Sequence, residues 1–181
     1  MKKWLLALFL IATSLHAAEV VEKDLGFRIV FPDLPGWTHV QRRELGETRS
    51  GWFSHFDGEK PADRLTAVIT VSFEHSPETA TFLKFVQLWH KQQFGTKAEE
   101  FKPHAFKVND HDACEFSDTQ IDHSGHPAYL RTVLVRAGDV TYAATFITSD
   151  PANLKVAAGS GFLDSLQLME LQKAPAWPKS R

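Results

Sequence analysis

The residues best suited to chemistry gather in one stretch: Asp110, His111, Asp112, Asp118, Asp122, His123 and His126. His123 and His126 stand three apart with Gly125 between them. Two imidazoles at that spacing can converge across a tight turn on a divalent metal, with Asp122 as an oxygen donor. Tetrahedral zinc needs two further ligands, and each imidazole needs an outer partner to orient it. No His-Glu-x-x-His or paired-cysteine spacing accompanies them. Asp, His, Ser and Gly are also the ordinary residues of an exposed hairpin tip.

Nucleophiles are scarcer. Cys114 is the single cysteine, so it has no partner within the chain. Asp112 and Glu115 beside it raise a thiol's pKa rather than lower it. Cys114 therefore reads as a small buried hydrophobe on the same strand face as Phe116. Ser160 lies between Gly159 and Gly161, whereas a nucleophile elbow places glycines two positions either side of the serine. Gly46, Gly51 and Gly58 are too scattered to cradle a phosphate. Asp33, Glu44 and Glu47 are acidic, yet nothing in the sequence brings two of them together. The pattern implies no cofactor and no catalytic set.

The N-terminus carries a different message. Lys2 and Lys3 precede an apolar run from Trp4 to Leu15, then the small residues Ala17 and Ala18, then Glu19. That order is the recipe for a bacterial secretory signal, over residues 1–17 with cleavage after Ala17 or Ala18. The run is shorter than the ~20 residues a spanning helix needs. Cleavage after Ala17 removes two lysines from the 20 basic residues and leaves 22 acidic ones, a net charge of −4. A mildly acidic chain without a basic stripe lacks the surface that dominates nucleic-acid affinity, so no nucleic acid is expected as a partner. It equally lacks a polybasic grip on anionic lipid.

The remaining length fits one domain, over residues 18–172, followed by a disordered tail over 173–181. Alternation predicts strands over 26–31 and 65–74, with less regular ones over 37–45 and 50–56. A helix is expected from Ser76 as N-cap and Pro77 as first residue to Gly95, with Phe82, Leu83, Phe85, Val86 and Trp89 on its inner face. A short extended piece over 104–108 leads into a meander of strands over 113–121, 128–136 and 140–148, the last two joined by Gly138-Asp139. The middle strand is apolar on both faces, as suits a sheet covered on both sides. Asp150 caps a final helix begun by Pro151, and residues 166–171 return as a short strand or trail along the surface. The fold class is α+β, a largely antiparallel β-sheet with helices packed on it. Trp37, Trp52 and Phe53 fall on early strands, where an exposed ring would anchor a partner.

The run Gly26-Phe27 through Phe31-Pro32 and Gly36-Trp37, and the ending Phe162, Leu163, Asp164, Ser165, Leu166, resemble the opening strand and closing motif of the PsbP-like superfamily. The order of helix and meander between them is similar too, so the resemblance covers nearly the whole chain after the leader. It implies a PsbP-like α/β sandwich, like that of the photosystem II subunit, the Ran-binding relatives and the DcrB-type exported proteins. It further implies a binding or accessory role without a shared catalytic set. Unlike the lipoprotein members, this chain has no leader cysteine. The resulting expectation is an exported, non-catalytic binding or accessory protein of the bacterial cell envelope, periplasmic or secreted, meeting an envelope protein. The alternative is a divalent-metal-binding protein or metal-dependent enzyme using the His123/His126 turn.

Overall fold

A computed structural model describes residues 17–32, 37–46, 49–56, 65–73, 81–95, 101, 103–122, 124–155 and 157–170. Seven of its strands form one sheet: β3 (Trp37–Gly46), β4 (Arg49–Phe56), β5 (Leu65–Phe73), β6 (His104–Val108), β7 (His111–Ile121), β8 (Pro127–Ala137) and β9 (Val140–Thr148). Their order is β3-β4-β5-β9-β8-β7-β6, and every neighbouring pair is antiparallel. A second, three-stranded antiparallel sheet runs β1-β2-β10, from β1 (Ala17–Glu22), β2 (Phe27–Pro32) and β10 (Gln167–Leu168). The molecule is thus an α+β protein dominated by antiparallel strands.

Strand alternation sorts the large sheet's side chains into two faces. Ala67, Ile69 and Val71 of β5, Val133 and Val135 of β8, and Tyr142, Ala144 and Phe146 of β9 are buried on one face. They pack with Leu25, Phe27 and Ile29 around the small sheet, and with Phe162, Leu163 and Leu166 at the chain's end. The opposite face is covered by α1 (Phe82–Phe94), whose Phe85 and Val86 pack on Cys114, Phe116, Leu134 and Ala143. The interior strand β8 is apolar on both sides, as suits a strand roofed on both faces. Burying a Phe or Leu fully contributes about 1.5–3 kcal/mol, which makes these two clusters the main source of stability.

Two tight turns fix the meander's register. Gly138 adopts a φ of 62° between Ala137 and Val140, which pair directly. Between β6 and β7, Asn109 and Asp110 take φ values of 46° and 67°. Two successive positive φ angles are what a type I′ hairpin requires, and Asn and Asp tolerate them better than other non-glycine residues.

Several elements differ from expectation. The helix starts at Phe82, with Thr81 as its N-cap accepting from the Lys84 amide at 3.3 Å. Thr81 replaces Ser76 as the cap because its hydroxyl is the one placed to accept a first-turn N–H; Ser76, Pro77 and Glu78 lie outside the described residues. Gly95 ends the helix as expected, at a φ of 78° with its N–H on the Lys91 carbonyl. Leu83 is exposed, since it falls one position off the buried row, and His90 takes an inner position instead. The final helix opens as a 3₁₀ turn over Pro151–Lys155 before α2 (Ala157–Asp164). Asp150 does cap it, through Oδ1 to the Ala152 amide. The tightening comes from Asn153, whose backbone N–H reaches the Asp150 carbonyl while its side-chain amide donates to Thr148 Oγ1. Strand β1 was not expected as a structural element at all.

Truncating Phe146 to alanine should lower unfolding free energy by about 3–5 kcal/mol in urea titrations, whereas Leu83→Ala should change it by less than about 0.5 kcal/mol.

Candidate functional site

The predicted metal turn is held together by its own backbone. Asp122 Oδ1 accepts from the Ser124 amide at 2.8 Å and from the His126 amide at 2.9 Å. The Asp122 N–H donates to the His126 carbonyl, and Gly125 closes the turn at a φ of 81°. Asp122 thus acts as the turn's internal cap, and the His126 side chain is exposed. His123 lies outside the described residues. Among the described residues no three His, Cys, Asp or Glu side chains converge on a metal-sized site.

Cys114 is buried, and burial pushes its thiol up to about 12. Removal from water, rather than the sequence-adjacent carboxylates, is the cause. Ser160 is buried and accepts from the half-buried Arg131 Nη1 at 3.1 Å. Arg131 also donates to Glu115 at 2.7 Å and to Asp164 at 2.8 Å, a fork that ties α2 to β7 and β8. The guanidinium's own pKa is raised chiefly by the Glu115 hydrogen bond. Trp37 pairs with Phe56, Trp52 with Ile69 and Phe53 with Val68 along the backbone, while their side chains lie outside the described part.

What the sequence reading missed sits under α1. His90 Nε2 and Asp118 Oδ2 are 2.7 Å apart, with the His90 side chain only 4% exposed. A carboxylate can only accept, so Nε2 carries the hydrogen. Asp118 Oδ1 accepts in turn from the Thr119 amide at 2.7 Å, which holds the carboxylate still. The other ring nitrogen, Nδ1, is buried without a hydrogen-bond partner. Around it stand Phe101, stacked at 4.0 Å between centroids, Phe94 at 4.9 Å and Phe116 edge-on at 5.5 Å. An oriented imidazole beside a carboxylate is the pairing general-base chemistry uses, but a base must come within about 2.6–3.2 Å of the proton it takes. The aromatic shell bars that approach to Nδ1. The pair serves instead as a polar peg between α1 and β7, reinforced by Arg136 over the Phe85 ring at 4.9 Å. The sequence signal was present: Phe82, Val86, His90 and Phe94 form one i, i+4 row, and Asp118 continues the alternation of Cys114 and Phe116.

Beside this peg the same sheet face opens into a recess of about 200 Å³. Trp89, Gln93 and Phe94 of α1 form one wall, and Thr70, Thr145 and Gln120 of the strands face them. Trp89 and Phe94 meet edge-on at 6.1 Å. The recess exists because α1, about 10 Å across, spans only two or three of the strands, which lie about 4.8 Å apart.

No family model matches this sequence, and no curated protein does. Among solved structures, a protein from Bacteroides thetaiotaomicron is similar at a TM-score of 0.50 and 11% identity, covering 87% of this chain and 50% of that one. The chain thus spans half the length of that protein, and the likeness is one of fold. A Pseudomonas aeruginosa protein of unknown function, PA94, is similar at a TM-score of 0.46 and 19% identity, covering 77% of this chain and 86% of that one.

Two outcomes follow from this geometry. Asp118→Ala strands the second nitrogen of His90 and should cost about 1–3 kcal/mol in urea unfolding, with a His90/Asp118 double-mutant cycle showing positive coupling. Burial also lifts Tyr142 to about 12. Both acids are held neutral by the fold, so their stabilisation is complete below the values of the unfolded groups, 9.0 for the thiol and 10.0 for the phenol. Thermal unfolding should therefore show stability falling from about pH 9 towards pH 12, and a disulfide reagent should label Cys114 in urea but not in the native protein.

Proposed function

We propose that this chain is an exported, non-catalytic binding or accessory protein of the bacterial cell envelope, of PsbP-like type, acting in the periplasm or outside the cell. The observation that carries the binding role is the recess beside α1. It is concave and lined by apolar rings and neutral polar groups, the mixture that small-molecule and partner sites use to combine affinity with orientation. The reactive groups offered by the sequence point the same way. Cys114 is kept protonated, Ser160 is held by Arg131, and the Asp122 carboxylate caps its own turn.

Export is supported by the charge, apolar run and small residues of the N-terminus. A cut after Ala17 or Ala18 leaves Glu19–Glu22 of β1, which pair with Val30 to Phe27 of β2. The leader and the domain therefore meet at a boundary where cleavage sacrifices at most two strand residues. Among the described residues no helix is long and apolar enough to cross a membrane.

N-terminal sequencing of the protein from a periplasmic fraction should begin at Ala18 or Glu19; an uncleaved cytoplasmic product contradicts export. Capture from envelope extract should retain a partner or ligand that is lost when Ile147→Trp fills the recess. Equal retention by the filled variant contradicts the assigned site.

A further inference from the structure

The geometry points to a neutral, single-ring molecule with hydroxyl or amide groups on its rim as the ligand of the recess beside α1, an inference that rests on the binding reading above. Charge is the first argument. The described residues lining the recess carry no ionisable side chain. A charged ligand entering there gives up its hydration without meeting an opposite charge among those residues, and the nearby Asp118 carboxylate is already paired with His90, so entry is strongly unfavourable. A neutral one loses far less.

Size is the second argument. An apolar cavity of about 150 Å³ takes one benzene ring, whereas sites for drug-sized molecules begin near 300 Å³. At about 200 Å³ the recess matches one ring with a few substituents.

The division of the walls supplies the third. Trp89 and Phe94 offer apolar ring surface, while Thr70, Thr145, Gln93 and Gln120 offer hydroxyl and amide groups that both donate and accept. Thr145 Oγ1 already pairs with Thr132 Oγ1 at 3.1 Å, which fixes where that hydroxyl lies. A ring with one apolar face and a polar rim satisfies both kinds of wall; a plain hydrocarbon satisfies only one.

The recess is also held in shape before any ligand arrives. Trp89 directly precedes His90, and Gln120 follows Asp118 by two residues on the same strand face. The 2.7 Å contact between His90 and Asp118 therefore ties the helix wall to the strand wall. Walls fixed in advance spare the ordering cost of binding.

The test is a nuclear magnetic resonance titration of the isotope-labelled mature protein with a probe panel. Glucose, inositol and N-acetylglucosamine are the neutral rings, and glucuronate and phenyl phosphate the charged ones. At least one neutral probe should shift the Trp89 indole N–H and the Gln93 and Gln120 side-chain amides saturably. Charged probes should bind at least about tenfold more weakly, a difference of about 1.4 kcal/mol. Ile147→Trp should remove the shifts while the remaining spectrum stays that of a folded protein, and Gln120→Ala should weaken them in a smaller, separate step. Charged probes moving the same signals as strongly overturn the neutral class and leave the binding reading standing. So does silence from every probe alongside an envelope ligand that Ile147→Trp releases. Silence from every probe with no captured ligand sinks both.

Discussion

The structure turns on one constraint: the middle of the seven-stranded sheet is apolar on both faces and needs two roofs. Tyr142, Ala144 and Phe146 look one way from β9, and Ala143 looks the other; Val133 and Val135 of β8 oppose Leu134 in the same manner. One roof is broad, built from the small sheet and α2. The other is the 13-residue helix α1. Six strand spacings make the sheet roughly 29 Å wide, whereas a helix is about 10 Å across. The inequality of the roofs decides where the fold closes and where it opens.

Polar chemistry follows the same division. Under the broad roof, Arg131 gathers Glu115, Ser160 and Asp164 and fastens α2 to the sheet. Beneath the narrow roof, the His90–Asp118 contact sets α1 over β7. The pair is only part-buried, since Asp118 is 28% exposed; replacing even fully buried polar pairs with apolar residues is often neutral for stability, and the attested use of such contacts is to fix register. In this protein that role has a functional consequence, because the helix it fixes is also a wall of the recess. The unpartnered Nδ1 of His90 costs about 1–3 kcal/mol, which the surrounding Phe94, Phe101 and Phe116 contacts offset.

Much of the fold was legible in the residues. Alternation marked β2 and β5, and Gly95 and Gly138, both at positive φ, marked a helix end and a hairpin. Other features were hidden for physical reasons. The pairing of β5 with β9 runs from Phe73 with Val140 to Leu65 with Thr148, partners far apart in sequence, and no local pattern encodes it. Strand β1 begins at the small residues Ala17 and Ala18, which carry no alternation to mark a strand. The site was less legible than the fold. Densely placed polar residues at 110–126 drew the eye to a turn, while His90 stood alone in an apolar row. A lone histidine there looks like an interruption until the opposite strand supplies Asp118. The recess comes from what α1 fails to cover, a property of geometry that no single residue announces.

The central claim is that α1 leaves part of its sheet face open to water. Paramagnetic relaxation from a neutral soluble agent, read on methyl signals of the protein, tests it directly. Val68 and Ile147, which line the recess, should broaden well before Leu134 beneath α1 and Val133 beneath the small sheet. Equal protection of the methyl groups of all four residues would mean that the face is closed, and the account of the recess would fail with it.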